Sequence, residues 1–289
     1  MLKIPQNFYK FALCLTILES SIIIKSSNAF FPLINEPNPK ELKSTAIQIG
    51  RTAIQLIQFG QNIEAIKFLD LAVKLNPKEN DLWISLAEAQ IRSNKKHKAL
   101  YSLRKAIKLN PKNQSIYFTK ASVYMDLNHP NKAKHFIRQG LSINKNSEKG
   151  FFQLGNAEIM LKNYKSALIA FKKSSKINSN FWQSINNEGL VLYELNNQKD
   201  AISKFKLALK ISKNAEPMLA LAIVLFSVDQ NSIEAISLAK NALQANPKYV
   251  LKDYQEKQLW GEKIQKSAQL LFKRNEMKKI VREAKEKSK

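Results

Sequence analysis

The residues able to do chemistry are few and far apart in this sequence. Histidines stand only at 97, 129 and 135, and the six-residue step between the last two does not put both imidazoles on one helical face. The single cysteine, Cys14, lies in an apolar run well before all three, so no metal-binding set of nitrogen and sulfur ligands assembles from spacing alone. Asp and Glu number 23 against 47 Lys and Arg. The acidic residues are mostly isolated, which gives no carboxylate pair for acid–base work. Glycine-rich phosphate loops, the dinucleotide turn and the G-x-S-x-G elbow are all missing from the sequence. The reading is a non-enzyme without metal or cofactor. What is left to act with is surface, and the helices that carry it set its shape.

Residues 81–111, DLWISLAEAQIRSNKKHKALYSLRKAIKLNP, read as two short amphipathic helices around a polar break. Trp83, Leu86, Ala87 and Gln90 share one face of the first, and Ala99, Leu103 and Ala106 one face of the second. Asn110-Pro111 stops the pair, because proline cannot donate a backbone hydrogen bond and disfavours helix before it.

The same residue classes return every 34 residues. A small residue opens the second helix at Ala65, Ala99, Ala133, Ala167, Ala201 and Ala235. A larger one follows four positions on at Leu69, Leu103, Ile137, Phe171 and Phe205, with Ala239 the smaller member. In the first helix a large slot (Ile49, Trp83, Tyr117, Phe151, Ile185, Leu219) is followed by a small one (Ala53, Ala87, Ala121, Gly155, Gly189), with Ile223 the exception. Small residues let paired helices approach, and large ones fill the space to the next pair. One pair has too little core to stand alone, so stacking must supply the burial.

This period and slot pattern resemble the tetratricopeptide repeat over about residues 46–249. The resemblance implies an all-α, right-handed α-solenoid of six tandem helix pairs, at 46–79, 80–113, 114–147, 148–181, 182–215 and 216–249. Residues 250–289 read as a capping helix, with Leu251, Tyr254, Trp260, Ile264, Ala268 and Leu271 on its stripe, followed by a basic tail. An Asn-Pro-Lys-Tyr junction (246–249) and the QLWGEK stretch (258–263) are similar to exported repeat proteins of photosynthetic bacteria.

Ahead of the array, Lys3 and Lys10 precede the apolar run FALCLTIL, and Ser27-Asn28-Ala29 offers a small-x-small cleavage site. That is the layout of a secretory signal peptide over residues 1–29. It predicts export to a periplasm or thylakoid lumen if cleaved, and a membrane-associated or cytoplasmic protein otherwise. Residues 30–45, rich in proline, read as an extended lead-in. The first repeat's first helix is apolar on several sides, so the lead-in, the N-terminus or another chain is expected to cover it.

In tetratricopeptide arrays the first helices line the concave groove, and the resemblance maps its facing slots onto this chain. The candidate groove residues are Ile84, Glu88, Phe118, Ser122, Phe152, Asn156, Asn186 and Leu190. Ile84, Phe118 and Phe152 would form an apolar stripe, with Asn156 and Asn186 free for a peptide backbone. The same side chains would serve equally to pack the superhelix. The expected function is a non-catalytic scaffold holding a peptide or helix of a protein partner during assembly of a larger complex. The net charge of +24 supports an alternative, a basic scaffold docking on anionic lipid or nucleic acid through a convex lysine face and the tail. Lysine rather than arginine carries most of that charge and is spread over the second helices, which argues against nucleic acid.

Overall fold

The computed structural model describes residues 38–288. The leader read over residues 1–29, Cys14 and the lead-in up to residue 37 lie outside the described residues. The chain divides into compact units of residues 1–42 and 43–289. In the described part of the first, Asn38 Oδ1 accepts the Lys40 N–H at 3.0 Å and caps the helix that opens at Pro39. Proline suits that position, since the N–H it lacks would have no helical partner. Residues 39–45 are therefore helical rather than extended.

Six helix pairs follow in order: Pro39–Gln58 (α1) with Asn62–Leu75 (α2), Asn80–Arg92 (α3) with Lys96–Leu109 (α4), and Gln114–Asp126 (α5) with Pro130–Ile143 (α6). The second three are Glu148–Met160 (α7) with Tyr164–Ile177 (α8), Trp182–Glu194 (α9) with Gln198–Ile211 (α10), and Ala215–Val228 (α11) with Ile233–Ala245 (α12). Within residues 43–289 each pair packs on the next, which makes an α-solenoid. The small slots work as spacers. At Gly155 and Gly189 a Cβ would enter the rings of Phe171 and Phe205, sixteen residues on, and both rings are fully buried.

Two devices recur at the joints. Inside the first five pairs the turn carries one residue in the left-handed region, at Gly60, Asn94, Asn128, Lys162 and Asn196, each 34 residues from the last. Between pairs an asparagine ends the second helix in extended backbone at Asn144, Asn178 and Asn246. Their side-chain oxygens accept the N–H two residues on, at 2.9, 3.0 and 3.2 Å. These are local turns that need no tertiary support.

The C-terminal region holds the expected cap in several short pieces, and the basic tail is helical as well. A short 3-10 turn, Pro247–Val250, leads to Lys252–Lys257 (α13), then to Glu262–Phe272 (α14), a second such turn, Asn275–Met277, and Lys278–Lys287 (α15). The chain breaks at residues 258–261, where Leu259 takes φ 60°. The basic composition of residues 273–289 conceals a stripe at Met277, Ile280, Val281 and Ala284. Met277 and Ala284 are buried and the other two pack on the same core, so α15 seats against α12 instead of fraying.

Candidate binding groove

The first helices carry the face on which a groove was expected, and its eight candidate residues meet different fates. Ile84 is half-buried on the N-terminal core. Glu88 is exposed and pairs with Arg92 one turn on, at 2.8 Å, a surface contact worth little. Ser122 is half-buried. Phe118 is not a groove residue. Its ring is buried in the seam between α6 and α7, against Gly140 and Gly150, where any Cβ would strike it. The apolar stripe of Ile84, Phe118 and Phe152 is therefore interrupted. The two glycines are what draw the phenylalanine inward.

Phe152 remains half-buried, its ring 5.8 Å from Phe171 and 5.0 Å from Phe181. With Asn156 it lines a cavity of about 250 Å³, completed by Gln183, Asn187, Lys257 and Leu259 among others. The amides around it form a directed chain. Asn186 Nδ2 donates to Asn187 Oδ1 at 3.2 Å, and Asn187 Nδ2 donates to Asn156 Oδ1 at 3.1 Å. Asn156 Nδ2 is left as a donor at the end of the chain. A second cavity, about 260 Å³, opens between the first two repeats beside Ile47, Arg51, Ile54, Asp81 and Ser85.

Asn186 and Leu190 are closed to solvent, at 0 % and 2 % exposure, because α14 packs across α9 and α11. The C-terminal cap has two parts: α15 packs on α12 of the last repeat, and α14 lies over the first helices of the last two repeats. Trp260, Ile264, Ala268 and Leu271 supply its apolar face. Its polar attachments are specific. Glu194 accepts the N–H groups of Lys263 at 3.2 Å and Ile264 at 3.0 Å, capping α14 from another repeat. Lys263 Nζ reaches the Tyr193 carbonyl at 2.9 Å, and Tyr193 Oη meets Ser267 Oγ at 2.8 Å. Trp260 Nε1 donates to Glu216 Oε1 at 3.1 Å.

The carboxylates here are held out of water. Burial raises the Glu194 carboxyl above its ordinary value, against the pull of the two backbone N–H bonds and Lys263. Burial raises Glu216 likewise, opposed by hydrogen bonds from Trp260, Tyr249 and Asn186. The Tyr249 phenol is pushed up by burial and by the Glu216 carboxylate beside it. Glu216 is only half-buried as a residue, but its carboxylate end is the desolvated part.

Sequence reasoning missed Glu194, Glu216, Trp260 and Lys263 as partners. The available cue was α11, AEPMLALAIVLFSV, which buries residues on nearly every side. A helix apolar all round needs cover on its groove side too.

The tetratricopeptide-repeat family model matches residues 81–113 and 114–147, the α3–α6 region. Residues 81–147 therefore carry two tetratricopeptide repeats, and the other helix pairs continue the same paired-helix fold. Comparison with curated proteins gave no match. Among solved structures, pilF of Pseudomonas aeruginosa aligns with TM-score 0.62 and 21% identity over 76% of this chain and 98% of its own. PilW, described as a widely conserved type IV pilus biogenesis factor, aligns with TM-score 0.61 and 18% identity over 73% and 97%. YrrB, described as a TPR protein with an unusual peptide-binding site, aligns with TM-score 0.50 and 19% identity over 65% and 97%. At these identities the likeness is one of fold.

Proposed function

We propose that this protein is a non-catalytic scaffold that holds a peptide or amphipathic helix of a protein partner along the groove of its first four repeats, assisting assembly of a larger complex. The observation that carries this reading is the junction at Phe152 and Asn156, where the groove of the first four repeats meets the later repeats and the C-terminal segment. There an aromatic wall stands beside an amide donor that the protein itself leaves unused, in a cavity open to solvent. Apolar anchoring beside backbone-seeking amides suits extended or helical peptides. YrrB, described as having an unusual peptide-binding site, offers a precedent for peptide binding on this fold.

The test is capture of partners from host extract at moderate salt, followed by titration of the purified partner against wild type and Ile84→Lys/Phe152→Lys. Both side chains are only half-buried, so the variant is expected to fold. At least tenfold weaker binding is the expected result, and unchanged affinity overturns the reading. One further observation favours docking on anionic lipid as a second reading. Lys67, Lys74, Lys105, Lys108, Lys172, Lys173, Lys206 and Lys210, all on second helices, are exposed. Binding of that kind collapses between low and moderate salt, whereas groove binding persists.

A further inference from the structure

The groove over the fifth and sixth repeats is filled by the chain's own residues 251–272, and the way it is filled is instructive. The apolar part of this seam, Trp260, Ile264, Ala268 and Leu271, belongs to the same buried core as α11 and α12, but the seam is not apolar throughout. Here the seat places Asn186, Asn187 and Glu216 under or beside the segment. The fit is also incomplete, since Asn186 Oδ1 is fully buried and receives no hydrogen bond. Buried acceptors are nearly always satisfied, and an N–H from a different occupant would satisfy this one. Glu194 grips the segment through backbone N–H groups, which any helix N-terminus presents regardless of sequence. The link into the seat passes through Leu259 at φ 60°, a conformation that leucine adopts reluctantly.

We propose that residues 251–272 are a displaceable internal ligand of this groove, and that the seat is shaped for a partner's amphipathic helix of the same pattern. That pattern is an aromatic residue at the entry, a helix starting two residues later, and an apolar stripe matching Ile264, Ala268 and Leu271. The proposal rests on the groove-binding reading and extends it, because the segment then acts as an autoinhibitory cover that lengthens the usable groove when it leaves.

Two measurements on the full chain test it. The first uses a fluorescein-labelled synthetic peptide of residues 258–274 as probe, with wild type compared to Ile264→Asp, which weakens the segment and leaves the seat intact. The variant is expected to bind the probe at least tenfold more tightly than wild type. Equal or absent binding by a folded variant overturns the proposal. The second is native-state hydrogen exchange on the wild type, which decides the matter if the variant fails to fold. Amides of residues 264–271 are expected to exchange through an opening at least 100-fold more frequent than that of residues 219–226. Exchange of both sets through a single shared opening would show a fixed part of the core and end the idea. Failure of the first four repeats to bind any partner would sink the groove reading alone and leave the exchange result standing.

Discussion

At the residue scale the buried carboxylates make the sharpest claim. Glu216 is held above its unfolded value by burial, more strongly than the hydrogen bonds from Trp260, Tyr249 and Asn186 oppose. Below the unfolded carboxylate pKa, about 4.3, both states are protonated and the group costs nothing. As pH rises from there the unfolded chain releases its proton while the folded one retains it, so stability falls until the folded pKa is passed. Gln at 216 keeps an acceptor for the Trp260 N–H and has no proton to lose. The Tm advantage of Glu216→Gln over wild type is therefore expected to widen as pH goes from 4 to 7, measured by thermal melts at fixed ionic strength. A gap that narrows with pH would contradict the desolvation argument. Lys162 and Glu262 also shift, through their own ion pair, but they are exposed and unchanged in the variant, so the difference isolates Glu216.

At the scale of the element, most of the fold was legible and part of the site was not, for one physical reason. Helix pairing depends on residues 34 apart and on side-chain size, both written linearly in the sequence, so Gly155 against Phe171 could be read as small against large. Groove lining depends on what lies opposite, and nothing local to Phe118 says that Gly140 and Gly150 will take its ring. Nor does anything near Asn186 announce a segment arriving from beyond residue 250. The turns were legible in principle, since their left-handed residues keep the period. Four of the five, Gly60, Asn94, Asn128 and Asn196, are types that accept positive φ. Lys162, at φ 58°, is the exception. Lys162→Asn should stabilise by roughly 1 kcal/mol, the order of cost for an ordinary side chain in that region. Its ion pair with Glu262, 2.8 Å and largely exposed on both sides, is worth less than that. A lower Tm for the variant would mean the contact to the C-terminal segment outweighs the backbone term.

For the molecule as a whole, charge sets the remaining expectation. A net +24 on a chain whose second-helix lysines are exposed along successive repeats is self-repulsive in the folded state, because stacking fixes those rows near one another. Lys134 and Lys204 are neutralised by Glu158 and Glu188, at 2.6 and 2.7 Å, where the carboxylates are buried; among the described residues the exposed second-helix lysines named above form no such ion pair. Screening shortens the reach of repulsion from about 30 Å at 0.01 M salt to about 8 Å at 0.15 M, while the apolar seams between repeats are almost indifferent to it. Tm is therefore expected to rise over that salt range, and partner affinity in the groove to stay constant. The same two conditions separate the functions. If affinity falls steeply while Tm climbs, the lysine rows are the binding surface. If affinity holds, they are a solvated exterior that the array tolerates, and recognition lies on the first helices.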